Sequence, residues 1–169
     1  SHTAGAAVIA GLAQKMLAPP LTRVEFTLYG SFAKTYRGHG TDRALLGGIM
    51  GFPTDDLRIR DSFSIARERG LVFSFTPNET ETEVHPNTVD IRMVNAAGQE
   101  MTVRGESLGG GKVKIVRING VNALNKIDKA SNFGGMRVDP GYSVIGFDAD
   151  TNPDQLSARV YFQIRYLGI

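Results

Sequence analysis

Two adjacent prolines, Pro19-Pro20, divide the opening of this chain into a part that can be helical and a part that begins anew. Proline lacks the N–H that a helix interior needs and clashes with the preceding turn, so a helix begun upstream must stop before this pair. Upstream, Ala4 to Leu17 is rich in alanine and carries Val8, Leu12 and Leu17 among small residues, a helix pattern that Ser1 or Thr3 can cap. Downstream, Arg23 to Tyr29 alternates Val24, Phe26 and Leu28 with Glu25, Thr27 and Tyr29, the period of a half-buried strand.

The same punctuation organises the remainder. A glycine-bearing stretch from Gly30 to Asp42 feeds a second helix, capped by Thr41 or Asp42 and running through Ala44, Leu45, Leu46 and Ile49 to about Gly51. A third helix is expected over Leu57 to Arg69 with Gly70 at C′, followed by a strand from Leu71 to Thr76 and an acidic, threonine-rich loop from Asn78 to Val84. Beyond His85-Pro86, Val89, Ile91 and Met93 alternate, Ala97-Gly98 turns the chain, Met101 and Val103 follow, and Val113, Ile115 and Val116 come after Gly109-Gly110-Gly111. That is an antiparallel meander, so the class is α+β. From Val121 the texture becomes α-β-β-α-β: a helix through Leu124 and Ile127, strands ending at Val138 and Phe147, a helix opened by Asn152-Pro153, and a last strand from Tyr161 to Leu167. This resembles a ferredoxin-like module short of its first strand.

With 169 residues the chain holds one domain, or one domain and a small module, and can bury about two-thirds of its unfolded surface. It contains no cysteine, which excludes disulfides, a thiolate nucleophile and any thiolate-ligated zinc or iron–sulfur cluster built from this chain alone. Nineteen basic and seventeen acidic residues leave a net charge of +2 without a basic stripe, so nucleic acid is not an expected partner. No apolar run approaches the roughly 18 residues of a membrane span and no signal peptide precedes Ser1, which makes a soluble cytoplasmic protein the expectation, with Ser1 an incomplete start.

Each of the three histidines sits in a short polar motif that carries glycine or proline: Ser1-His2-Thr3-Ala4-Gly5, Gly38-His39-Gly40-Thr41-Asp42 and His85-Pro86-Asn87-Thr88. Histidine exchanges protons near neutral pH, and neighbouring glycine admits close approach. His2 falls at a helix N-terminus, where backbone N–H groups and the helix dipole favour an anion. Pro86 holds His85 extended, as a turn residue or as the positioner of a loop. The triple glycine lacks the Gly-Lys-Ser/Thr ending of a phosphate loop and reads as a hinge, while Lys34 and Arg37 are ordinarily solvated charges. Zinc held by all three histidines is disfavoured because they lack the short spacing of zinc sites.

Taken together, Ser1 to Ala7, Tyr29-Gly30-Ser31-Phe32-Ala33-Lys34-Thr35, Gly38 to Asp42, His85 to Thr88 and Ser107-Leu108-Gly109-Gly110-Gly111 resemble, in order and spacing, the beta chain of iron–sulfur L-serine dehydratases over about residues 1–120. The resemblance implies conversion of L-serine to pyruvate and ammonia, with a [4Fe-4S] cluster ligated by cysteines of an alpha chain or domain, and an oligomeric assembly. It implies a beta domain like the allosteric substrate-binding domain of phosphoglycerate dehydrogenase. Residues 121–169 resemble the ACT module of two-chain members, with Asn132 to Val138 as a central strand, although the apolar strand expected between about Asn119 and Val121 is absent.

The chemistry then divides in two: a metal ion can polarise the departing β-hydroxyl, and a general base near neutral pKa must take the α-proton. His39 with Asp42 is the candidate base pair; Ser1, His2 and Thr3 would grip the substrate carboxylate or support the cluster pocket, with Ser31, Thr41, His85 and Asn87 as further site-supporting residues. A non-catalytic regulatory domain that senses L-serine is the competing expectation.

Overall fold

The structure, a computed structural model, describes residues 2–122. The ACT-like pattern expected over residues 121–169 therefore lies outside the described residues, apart from Val121 and Asn122. The elements run α1 (His2–Gln14), β1 (Leu21–Tyr29), α2 (Gly30–Thr35), α3 (Thr41–Ile49), a 3₁₀ turn (Leu57–Asp61), α4 (Ser62–Glu68), β2 (Val72–Asn78), β3 (Thr88–Asn95), β4 (Glu100–Gly109), β5 (Lys112–Ile118) and the two-residue β6 (Val121–Asn122). The class is α+β, as expected.

The strands form one sheet in the order β2-β1-β3-β4-β5-β6. β1 pairs in parallel with β2 and antiparallel with β3, and every later pairing is antiparallel. A parallel pair needs a long crossover, and here α2, α3, the 3₁₀ turn and α4 supply it. Register aligns Val24 with Met93, Phe26 with Ile91, Leu28 with Val89, and Ile91 with Val103, so the apolar set of each strand lies on one face. That face is buried under the helices with Ile9, Phe32, Leu45, Leu46 and Ile49. Phe26 stacks on Phe75 of β2 with centroids 4.8 Å apart, extending the core to that edge. The opposite face carries Glu25, Tyr29, Asp90, Arg92 and Arg104, the polar half of the alternation.

Helix α1 sinks unusually deep because its neighbours offer glycine. A Cβ on Gly48 of α3 would overlap the Ala7 carbonyl, and one on Gly105 of β4 would overlap the Ile9 side chain. Behind Pro19-Pro20, the Ala18 carbonyl accepts from Asn95 Nδ2 at 3.0 Å and the Pro20 carbonyl from the Ala96 N–H at 3.0 Å, tying the break to the β3–β4 turn.

Three local readings are refined or corrected. Gly30–Thr35, read only as part of the glycine-bearing stretch that feeds the next helix, is itself helical. The single helix over Leu57 to Arg69 is divided: the buried Ser62 hydroxyl shares its one proton between Ile59 O at 2.6 Å and Arg43 O at 3.0 Å, at a tight turn before α4. Gly109-Gly110-Gly111 is a hairpin corner rather than a hinge: Gly110 and Gly111 connect β4 to β5 with both φ values positive, as a two-residue primed turn requires. Gly70 at φ +73 does end α4 as expected.

Two alanine substitutions should move stability in opposite directions. Gly11 of α1 has open space where a Cβ would stand, so Gly11→Ala should gain up to about 1 kcal/mol from helix propensity. Gly48→Ala should lose about 1–3 kcal/mol, since backbone must shift to admit the methyl. Chemical denaturation of both variants checks the pair.

Candidate functional site

The motifs singled out in the sequence converge on the end of the sheet where β1 finishes and β3 begins. Gly30 turns the chain from β1 into α2 at φ +53, and a Cβ there would stand 2.6 Å from the Pro86 oxygen. The Pro86 carbonyl accepts from the Ser31 N–H at 2.7 Å and the Phe32 N–H at 3.3 Å, docking the first turn of α2 on the His85-Pro86-Asn87 loop. Within that loop, Thr88 Oγ1 donates to His85 O at 2.6 Å, and the Asn87 N–H donates to His85 Nδ1 at 3.2 Å. An accepting Nδ1 assigns the proton of the neutral ring to Nε2.

The Asn87 carbonyl accepts from the Ser107 N–H at 2.9 Å, carrying the chain of contacts to β4. Buried Ser107 lies beneath the first turns of α1, where a Cβ on Gly5 would overlap its hydroxyl. Thr3, half-buried in the same helix, faces Gly40: a Cβ there would lie 3.9 Å from Thr3 Cγ2. The turn holding His39 is tied to α2, since the His39 N–H donates to Thr35 O at 3.1 Å and Thr35 Oγ1 donates to Ser31 O at 2.8 Å. Ser31, His39, His85 and Asn87 are thus joined by one connected set of hydrogen bonds, the Asp42 N–H donates to Tyr36 O at 3.4 Å, Thr3 faces Gly40, and Thr41 follows Gly40 at the start of α3. His2 is the first residue of α1, as expected for a helix start, and Ser1 lies outside the described residues.

The capping role expected of Thr41 or Asp42 is overturned. Gly40, at φ +72, is the N-cap of α3, because a left-handed residue is needed to swing the chain out of the His39 turn. Thr41 and Asp42 fall inside the helix and are buried, while His39 stays exposed at the turn. Asp42 Oδ1 accepts from the Arg43 N–H at 2.8 Å. Burial raises the Asp42 pKa above the ordinary carboxylate value; that hydrogen bond and the Arg43 and Arg37 charges oppose it without cancelling it. The Thr41 hydroxyl is fully buried with no hydrogen-bond partner among the described residues. Thr3 stands in the first turn of α1, and Ser1, which precedes that helix, lies outside the described residues.

Two cavities flank this cluster. One of about 480 Å³ lies between α2 and the 78–86 strap, with Ser31, Lys34, Thr35, Glu79, Glu81 and Pro86 in its walls. The other, about 370 Å³, touches Thr3, Gly40, Arg43, Asp55 and Arg60. The chain has no cysteine to offer iron, and among the described residues no three His, Asp or Glu side chains gather as a metal site. Sequence reasoning missed Gly5 and Ser107 as a packing pair and Gly30 as the docking point of Pro86; all three stand inside quoted motifs, yet only the folded register shows what they touch.

Asp42 makes a pH prediction. Its folded pKa exceeds its unfolded one, so the folded state holds the extra proton and stability falls as pH rises from the ordinary carboxylate value through the raised one. Denaturant titrations over about pH 3 to 7 should show this loss in the parent chain and its absence in Asp42→Asn, which keeps an Oδ1 for the Arg43 N–H.

Comparison with known proteins gives this geometry a lineage. The family model described as "Serine dehydratase beta chain" matches residues 1–117. The "L-serine dehydratase, beta chain" of Peptoniphilus asaccharolyticus is 50% identical over 121 residues, 72% of this chain and 54% of that protein. The "Probable L-serine dehydratase, beta chain" of Bacillus subtilis (strain 168) is 43% identical over 120 residues, 71% of this chain and 54% of that protein. The chain thus spans about half the length of the curated relatives it matches. A match of this extent across all five motifs shows that the chain belongs to the serine dehydratase beta chain family.

Proposed function

We propose that this chain is the beta part of an L-serine dehydratase, a lyase that forms pyruvate and ammonia from L-serine only when joined to a cluster-bearing alpha chain or domain. The observation that carries the proposal is the gathering of Ser31, His39, Asp42, His85 and Asn87 at one end of the sheet through backbone hydrogen bonds, with Thr3 of α1 facing Gly40 beside them. The [4Fe-4S] cluster belongs to the alpha part in this reading, and no residue of this chain is assigned to it.

What this chain contributes is proton and carboxylate handling. His39, exposed on a turn anchored to α2, is the base that takes the α-proton as the β-hydroxyl leaves with a proton as water. The resulting aminoacrylate tautomerises to an imine, and water converts the imine to pyruvate and ammonia. Buried Asp42 lies three residues beyond His39 in the start of α3 and sets the electrostatics there. The N-terminal turn of α1, with His2 and Thr3, receives the substrate carboxylate at the positive end of the helix dipole. Ser31, Thr41, His85 and Asn87 line or brace the same end. The same proposal includes a beta domain folded like the allosteric domain of phosphoglycerate dehydrogenase, an ACT-like tail over residues 121–169, an oligomeric assembly and a cytoplasmic location.

The test is anaerobic capture of the native partner with this chain, followed by assay of pyruvate from L-serine. The assembled pair should be active and each part alone inactive. His39→Ala should lower turnover at least about 100-fold while capture of the partner survives, the usual scale for a general base. If the variant turns over normally but serine still binds and regulates, the regulatory reading replaces this one.

A further inference from the structure

On the polar face of the sheet, Arg104 of β4 is only 8% exposed, a rare fate for arginine unless it is fully paired. Its Nε and Nη2 grip Asp90 of β3 as a fork, at 2.7 Å to Oδ1 and 2.8 Å to Oδ2. Nη2 also donates to the Tyr29 hydroxyl at 3.0 Å, and that hydroxyl donates to Asp90 Oδ2 at 2.7 Å. The guanidinium lies 4.8 Å from the Tyr29 ring centroid, adding a cation–π contact. Burial and the Asp90 hydrogen bond push the Tyr29 pKa up to about 12, so it remains a donor.

Each member lies within or a few residues from a site motif. Tyr29 precedes Gly30-Ser31, Asp90 follows Asn87-Thr88, and Arg104 lies three positions before Ser107. Sheet pairing accounts for the links among these three residues. It does not account for the remaining one: Arg104 Nη1 donates to Glu81 Oε1 at 3.2 Å, reaching off the sheet to the strap between β2 and β3. Glu81 is oriented for this contact by Asn78, whose Oδ1 accepts from the N–H groups of Thr80 and Glu81 at 3.0 and 3.1 Å. Four residues later the strap delivers His85, and its far end is fixed by Pro86 on Ser31 and Phe32. Glu81 also stands in the wall of the cavity of about 480 Å³, which Lys34 lines as well.

We propose that Arg104, preset by Asp90 and Tyr29, is a positioning residue that latches the 79–87 strap through Glu81 and thereby holds His85 and Asn87 against α2. An arginine fork suits this task, because its geometry is fixed by the two bonds to Asp90 before the third contact forms. The kinetic consequence rests on the serine dehydratase reading above; the structural consequence does not. If substrate binds only the latched strap, unlatching lowers the competent fraction, which raises KM and leaves kcat near its parent value.

Glu81→Ala is the decisive variant, because it removes the acceptor of Arg104 Nη1, and Glu81 is exposed, so its loss does not uncover buried charge on the strap side. In the full chain, hydrogen exchange should speed up about 2- to 5-fold at amides of residues 79–87, the scale of one half-exposed ion pair, with the unfolding midpoint unchanged. Adding Glu81→Ala to Arg104→Gln should give no further increase. In the complex assembled with its partner, Glu81→Ala should raise KM for L-serine only by the factor by which the latched fraction falls, a smaller factor than that seen in exchange, with kcat retained. Unchanged strap exchange overturns the latch, as does a fall in kcat with KM unmoved, the mark of a smaller folded fraction. If the parent complex forms no pyruvate, the enzyme reading fails by itself and the exchange result still decides the latch.

Discussion

The close approach of α1 to everything around it is the constraint on which the rest of the structure depends. Gly48 lets α3 meet the α1 backbone at Ala7, Gly105 leaves room on β4 for Ile9, and Gly5 brings the first turns of α1 down onto Ser107. Small residues on α1 itself, among them Ala6, Ala10 and Ala13, complete the fit. At these positions shape dominates, since a single methyl on α3 or β4 would have to displace backbone or a β-branched side chain. Because the helix is held along its length, its N-terminus arrives at the sheet end with a fixed height and direction.

The site inherits that rigidity from several directions at once. The Pro86 carbonyl anchors α2, the Asn87 carbonyl anchors β4, and the Thr35 carbonyl anchors the His39 turn. Backbone groups make these joints, and within the loop the His85 ring adds its own, accepting the Asn87 N–H on Nδ1. Polar groups kept dry beside an exposed histidine, namely Asp42 and Thr41, give the start of α3 an electrostatic character unlike that of an ordinary helix end.

Much of this was legible in the linear chain, and the reasons are physical. Strict alternation at Val24, Phe26, Leu28 and at Val89, Ile91, Met93 marks strands because one face is buried and the other is not. Pro19-Pro20 and Gly70 mark helix ends because one cannot continue a helix and the other accepts positive φ. Less legible were α2, whose six residues are too short for a hydrophobic period, and the cap of α3, where a glycine displaced the more familiar Thr or Asp. The five motifs announced a common site, but their meeting place depends on a parallel β1–β2 pair that no local pattern encodes. The Arg104 cluster was invisible for a similar reason: Tyr29, Asp90 and Arg104 are each ordinary outward-facing residues until register sets them side by side.

That cluster has a meaning for how the chain finds its fold. Asp90 faces Arg104 across the β3–β4 pair, with Ile91 facing Val103 one step along. A slip of one residue would turn the guanidinium toward the apolar layer and strand the carboxylate outside it, a far greater penalty than a misplaced methyl would exact. The hairpin is therefore proofread by charge, and the only alignment that survives is the one that also places Ser107 under the start of α1.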